Sequence, residues 1–300
     1  VLLVKAFQAA MSSSGGRVLT MDTQAACAAG QFSDRHLVVR RIDAAGAFDE
    51  IAAICAKYDI RLIVPTRDGE LPQFSEWRDA LRKRGVEVLV CPRAALALCL
   101  DKREFGRAIA RAGLQGIPEF GADAIPEWPV FVRPVVGSGG RGARRVDRRE
   151  DLPPDVDAYL VHPLVKAKEY SIDLLMDLEG QPLQAVVRER QRVVSGESKV
   201  TTVVRHEAIE ASTLKLGAAL GLVGHNVVQA FDDPLRGILF IEVNPRFGGA
   251  SNCSIVAGLA SPERILGLIA GDAQARQARP IRSGLTMLRY SDDVFVETAQ

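Results

Sequence analysis

Apolar positions in the first ninety residues switch repeatedly between two periods. Val1 to Ser13 carries helical spacing, which Gly15-Gly16 breaks, and Arg17 to Asp22 reads as a short buried strand ending in an acid. His36 to Arg40 is a strand, Ala47 to Tyr58 an amphipathic helix, and Arg61 to Pro65 a buried strand followed by the polar loop Thr66 to Glu70. Ser75 to Gly85 is a further helix and Val86 to Val90 another strand. Alternation of this kind predicts a parallel sheet covered by helices. A doubly wound domain opens on a strand and a Gly-rich turn, whereas this chain opens on helical spacing. The expectation is therefore a Rossmann-like α/β domain lacking its first strand. No G-x-G-x-x-G occurs in it, so a dinucleotide is not implied. Cys91-Pro92-Arg93 reads as a boundary, dividing the chain into residues 1–92 and 93–300.

Beyond it the pattern turns to α+β. Ala94 to Leu100 and Asp101 to Ala112 are helical, with Asp101 as N-cap and Lys102 in the first turn, where a cation opposes the macrodipole. Pro129 to Pro134 is a strand running into the loop Gly137-Ser138-Gly139-Gly140-Arg141-Gly142, and Ala143 to Val146 returns. Glycines let backbone N–H groups wrap phosphate oxygens, and Ser138 adds a hydroxyl; a plain hairpin is the other reading. Arg133 on the incoming strand favours the phosphate reading, because a buried-strand cation needs an anion. Strands Tyr159 to Pro163 and Tyr170 to Met176 flank an apolar linker, Leu164-Val165, that leads to Glu169. Such a linker suits a nucleotide base and ribose. Gln184 to Val194 is a long strand with Arg188, Arg190 and Arg192 on one face, so these three either face anions or are solvated. Val200 to Val204 is a strand and Glu207 to Leu220 a helix stopped by Gly221.

A hairpin follows, from Asn226–Phe231 through turn residues 232–237 to Phe240–Asn244. A turn centred between Leu235 and Arg236 sets Gln229 opposite Glu242, at roughly 4.5 to 5.5 Å between Cβ atoms. Side chains alternate along a strand, so Glu242 and Asn244 share a face while Ile241 and Val243 take the other. Gln229, Glu242 and Asn244 then form an oxygen-rich platform for a hard cation such as Mg²⁺, or an acidic strand end facing water. Ser251 to Ala260 and Pro262 to Ile269 are helical, and Leu285 to Tyr290 and Val294 to Glu297 are short terminal strands.

Composition narrows the class. Apolar residues make up 47% of the 300, enough for two globular domains, and a net charge of +1 argues against a nucleic-acid or membrane surface as main partner. The chain shows no window of about 18 uncharged apolar residues and no leader pattern, so a cytoplasmic location is expected. Cys27, Cys55, Cys91, Cys99 and Cys253 are scattered without a C-x-x-C pair, which suits reduced, buried thiols.

Taken in order, Asp101-Lys102, Arg133 before Gly137-Ser138-Gly139-Gly140, Lys168-Glu169-Tyr170-Ser171-Ile172-Asp173, Arg188-Glu189-Arg190, Gln229 and Glu242-Val243-Asn244-Pro245-Arg246 resemble the ATP-grasp superfamily. The resemblance is to single modules like those of the carbamoyl-phosphate synthase large chain. It implies a pre-ATP-grasp domain and then a two-lobed ATP-grasp fold, with a small lobe about 100–164 and a large lobe about 165–300. Lys102 and Arg133 would touch the nucleotide phosphates under the glycine loop, and Leu164 and Val165 would meet the base. Glu169 would bind the ribose, and Gln229, Glu242 and Asn244 would hold Mg²⁺. Two ions are implied, for which Mn²⁺ can substitute. Arg246, with Arg188 or Arg190, would act catalytically on the transferring phosphoryl group. The family usually places an acid at the start of the hinge, where this chain has His162. The implied reaction is ATP-dependent joining of a small carboxylate to an amine, or to a thiol, through an acyl phosphate. Two alternatives stand beside it: carbamoyl-phosphate-synthase-like phosphorylation of a carboxylate or bicarbonate, and nucleotide binding without ligation. The partners implied are ATP, a small carboxylate and an amine-type acceptor, with a homodimer allowed.

Overall fold

The computed structural model describes residues 1–137 and 139–296, so the expected contributions of Ser138 and Glu297 lie outside the described residues. The chain opens with helix α1 (Leu2–Ala10), as its spacing predicts, and Val1 to Val4 form no strand. Strands β1 (Leu19–Asp22) and β2 (Arg35–Val38) pair in parallel. Helix α2 (Ala47–Tyr58) leads to β3 (Leu62–Ile63), helix α3 (Leu71–Arg82) to β4 (Glu87–Val88), and β3 and β4 again pair in parallel. Helices α4 (Arg93–Leu100) and α5 (Lys102–Arg111) come next. The α5 N-terminus forms where expected, with the Asp101 carboxylate accepting from the backbone N–H groups of Arg103 and Glu104 at 2.8 and 2.9 Å.

Two antiparallel sheets build the rest. The smaller has the order β6 (Arg144–Val146), β5 (Val130–Pro134), β7 (Tyr159–Pro163). Leu164 to Ala167 carries the chain from β7 into the larger sheet, made of β8 (Lys168–Met176), β9 (Pro182–Val194), β10 (Glu197–Val204), β11 (His225–Asp233), β12 (Gly237–Asn244) and β13 (Thr286–Leu288). Its order is β12-β11-β8-β9-β10-β13, with helix α6 (Glu207–Leu220) joining β10 to β11. Val294 to Val296, expected as a strand, are not one: β13 ends the sheet, and these residues are exposed beyond its edge. The helix expected over Ser251 to Ala260 is also shorter. Helix α7 (Ser251–Ser254) widens into a π turn at Ile255–Leu259, because Gly258 takes φ 126° against the Pro280 carbonyl, before α8 (Ser261–Ile269) resumes.

The apolar core does not respect the boundary at Pro92. Ile51, Leu71, Phe74, Leu81 and Val88 from the first ninety residues share one buried cluster with Phe105 and with Ile172, Leu174, Val187, Val228, Phe240 and Val243 of the large sheet. A second cluster joins Phe7 and Leu89 to Leu175, Val203, Phe247 and Ile265, with the Phe7 and Phe247 rings edge to face at 6.0 Å. Sequence division and core division are therefore different things here.

Candidate active site

Because Tyr170, Ile172 and Leu174 of β8 face the core with Val187 of β9 and Val228 and Ala230 of β11, the intervening residues face the other side of the sheet. That face carries Glu169, Ser171 and Asp173, then Arg188 and Arg190, then Gln229, and beside it Glu242 and Asn244. Register aligns one row across four strands: Arg188 opposite Ser171, Ser171 opposite Gln229, Gln229 opposite Glu242.

Gln229 and Glu242 meet as expected, though by a different route. The turn is centred on Leu235, since Asp233 pairs with Gly237, and one residue of slip between Ala230–Phe240 and Gln229–Glu242 places a bulge at Ile241. The bulge also changes which side chain shares the core: Phe240, 1% exposed, packs with Val243, while Ile241 lines a cavity beside Arg133. Glu242 is half-buried, and the Asn244 amide donates to its Oε1 at 3.3 Å. One carboxylate and two carboxamides suit a hard cation that also takes phosphate oxygens.

The two basic residues lie within electrostatic reach of Glu242. Burial lowers the Lys102 pKa, with Glu242 opposing that shift and Arg133 adding to it. Burial likewise lowers Arg133, and Glu242 again opposes. Lys102 Nζ donates to the Gly137 carbonyl at 2.6 Å. Glycine is required in this loop, since Gly137, Gly139, Gly140 and Gly142 all have positive φ, between 68° and 140°. The loop reaches the large sheet: a Cβ on Gly196, in the β9–β10 turn, would sit 3.4 Å from the Gly139 carbonyl oxygen.

His162 does not stand open to a base. Its Nδ1 lies 2.8 Å from the Pro118 carbonyl and its Nε2 3.1 Å from Arg133 Nε, and the residue is 3% exposed. Leu164 and Val165 are half-buried in the link between the two sheets. Glu169 ion-pairs with Arg190, Nε to Oε1, at 3.2 Å. Burial raises the Glu169 pKa, Arg190 opposes, and Glu242 adds to the rise, which puts these groups within electrostatic reach of one another.

The arginines named from the sequence each have a different fate. Arg188 is 1% exposed and locked to Asp173, Nε to Oδ2 at 2.6 Å, with Ser254 Oγ at 3.1 Å. Arg190 Nη2 donates to the Gly196 carbonyl at 3.0 Å and Nη1 to Ser171 Oγ at 3.3 Å, while its Nε faces the Glu169 carboxylate without an aligned hydrogen bond. Arg192 is exposed. Arg246 makes a two-pronged pair with Asp68, at 2.6 and 2.8 Å, and donates to the Phe247 carbonyl.

Asp68 is one residue that sequence reasoning missed, although the polar loop after β3 sits where a parallel sheet presents its carboxyl ends. Asp173 is another. It is fully buried and accepts from Arg188, His225, Ser251 and Ser254, and Ser251 Oγ in turn accepts from the Gly248 N–H at 2.9 Å. Burial pushes its carboxyl up, yet Arg188 and His225 together hold it well below the usual range. A carboxylate between Ile172 and Leu174 was the signal that a buried partner had to exist.

With that geometry in place, comparison with known proteins gives a consistent class. Residues 1–89 match the family described as PylC-like, N-terminal domain, and residues 155–292 the family described as ATP-grasp in the biosynthetic pathway with Ter operon. Over residues 155–292 the chain is therefore similar to ATP-grasp proteins. It is 27% identical over 199 residues to the carbamoyl phosphate synthase large chain of Xylella fastidiosa, a match covering 56% of this chain and 18% of that protein. The biotin carboxylase of Campylobacter jejuni superposes with TM-score 0.72 at 16% identity, covering 93% of this chain and 70% of the other. The L-amino acid ligase of Bacillus licheniformis superposes with TM-score 0.68 at 18% identity, covering 92% and 74%.

Proposed function

We propose that this chain is an ATP-dependent ligase that activates a small carboxylate as an acyl phosphate and joins it to an amine-type acceptor. The observation that carries the reading is the convergence of unlike groups from separate elements on one cleft. Lys102 and Arg133 lie within electrostatic reach of Glu242, and Glu169, Arg190, Gln229 and Asn244 lie on its own sheet face. Cations for phosphates, an acid for ribose and an oxygen platform are what phosphoryl transfer requires, since the reaction is governed by positioning and charge stabilisation. Gln229, Glu242 and Asn244 would hold Mg²⁺, which when bound would neutralise charge on the triphosphate; two ions, or Mn²⁺ in their place, belong to the same proposal.

Each remaining residue has a task this geometry supports. Glycines 137, 139 and 140 offer N–H groups to phosphate oxygens. Leu164 and Val165 offer backbone groups to the base. Arg190, ion-paired with Glu169 through its Nε, meets the developing charge, and Arg246 does so when Asp68 releases it. Arg188 orients rather than contacts, being enclosed with Asp173. The boundary near Pro92, the lobes about 100–164 and 165–300, a cytoplasmic location and a homodimer complete the reading. Among the described residues no helix is long and apolar enough to cross a membrane.

The likeness to carbamoyl phosphate synthase large chains favours a second reading, in which the acyl phosphate is released rather than joined to an amine. A screen of amino acids and small carboxylates with Mg-ATP, singly and in pairs, tests both. Phosphate release needing a pair and yielding a stable amide supports the ligase, whereas release with a carboxylate alone and no amide supports the second. No substrate-stimulated release by any of them overturns enzymatic readings of the site.

A further inference from the structure

Arg133 is 7% exposed and its guanidinium is held from two directions. Its Nη1 donates to the Ile241 carbonyl at 3.1 Å, on the bulge immediately before Glu242, and its Nε donates to His162 Nε2 at 3.1 Å. The two acceptors come from different sheets, so Arg133 ties β7 to β12 across the cleft. A carbonyl can only accept, so the His162 ring must carry its proton on Nδ1 to donate to Pro118 at 2.8 Å. Nε2 is then a bare lone pair aimed at Arg133, and the ring is neutral. We propose that His162 is a positioning residue that fixes the orientation of Arg133 without neutralising it, and takes no part in binding a base.

The chemistry behind this is a difference between two acceptors. A carboxylate at this position would orient a guanidinium equally well, but it would also form an ion pair and spend the positive charge locally. A neutral imidazole accepts the same hydrogen bond and adds no counter-charge to those of Glu242 and Glu119, so more of the guanidinium charge is left for an incoming anion. Among the described residues the remaining donors of Nη1 and Nη2 have no hydrogen-bond partner, and Lys102 lines the same cavity of about 270 Å³ with Arg133, His162 and Ile241. Burial agrees with a neutral ring: together with the neighbouring Arg133 charge it lowers the His162 pKa to about 4.

The inference rests on the proposal that nucleotide phosphates meet Arg133. The test titrates wild type, His162→Glu and His162→Gln with Mg-ATP and Mg-ADP by calorimetry and with adenosine by ligand-observed NMR, alongside thermal melts. Glutamine keeps a neutral acceptor and should bind ATP within a few-fold of wild type. Glutamate keeps the hydrogen bond but pairs the charge, and should weaken ATP and ADP about tenfold or more while adenosine changes little. Tighter ATP binding by His162→Glu, or a loss shared equally by adenosine, overturns the inference and returns His162 to the base pocket. If wild type itself binds neither ATP nor ADP, the nucleotide reading fails first and this inference with it. Should His162→Glu not fold, His162→Phe gives the same contrast, since it deletes the acceptor and should cost ATP affinity without costing adenosine affinity.

Discussion

At the scale of single residues, the charge of Glu242 matters more than its shape. Glu242→Gln keeps size and removes the only carboxylate of the platform. The expected result is a loss of about 3 kcal/mol of transition-state stabilisation, roughly a hundredfold in turnover, with Mg-dependent ATP binding weakened and the melting temperature of the free protein little changed. Unaltered Mg-ATP binding and turnover would move the metal site elsewhere. His162 adds a stability effect with a definite sign. The unfolded chain binds a proton near pH 6.5 that the native state does not take up until about 4. Stability therefore rises with pH across that window, and the loss on acidification, up to roughly 3 kcal/mol, is complete only below the lower value. Urea titrations of wild type and His162→Gln between pH 4 and 7 should show the wild type losing the larger increment; parallel curves would refute it.

At the scale of elements, β9 shows both how much the sequence reveals and where it stops. Alternation places Arg188, Arg190 and Arg192 on one face; the register with β10 bears that out for Arg188 and Arg190, whereas a bulge between the Arg190–Thr201 and Arg192–Val200 pairs turns Arg192 to the other face. What alternation cannot supply is the partner opposite each guanidinium. Arg188 lies under α7, whose Ser254 completes its enclosure, and Arg192 lies near the hairpin tip in solvent. Helices α2 and α6 begin and end where amphipathic spacing and Gly221 place them, because their signals are local. The Ile241 bulge, the Asp68 pair and the hub at Asp173 are contacts between distant segments, and no local pattern encodes them. This difference predicts opposite outcomes for neighbouring arginines. Arg188→Ala should destabilise the protein by about 3–5 kcal/mol, because Asp173 is left charged and buried. Arg190→Lys should melt nearly as wild type but lose turnover, since a point charge cannot reproduce a guanidinium's directed donors. Equal melting temperatures for both variants would contradict the division between hub and cleft.

At the scale of the whole molecule, the buried cluster that runs from Ile51 and Phe74 to Val228 and Val243 has a consequence for how ligand binding is felt. Two units that share a core cannot open one at a time without exposing it, so unfolding should be a single cooperative event. A ligand that binds only the folded state at a hundred times its dissociation constant adds about 2.7 kcal/mol to that event, wherever in the chain it is observed. Helix α2 provides the remote observer. Its Ile51 and Cys55 are buried at the opposite end of the sequence from the cleft strands, and their amide protons exchange only when the shared core comes apart. Saturating Mg-ATP should therefore slow exchange at α2 by roughly a hundredfold, as much as at β11, although no atom of the helix need touch the nucleotide. Exchange at α2 that ignores the nucleotide while β11 slows would mean that the two halves breathe separately.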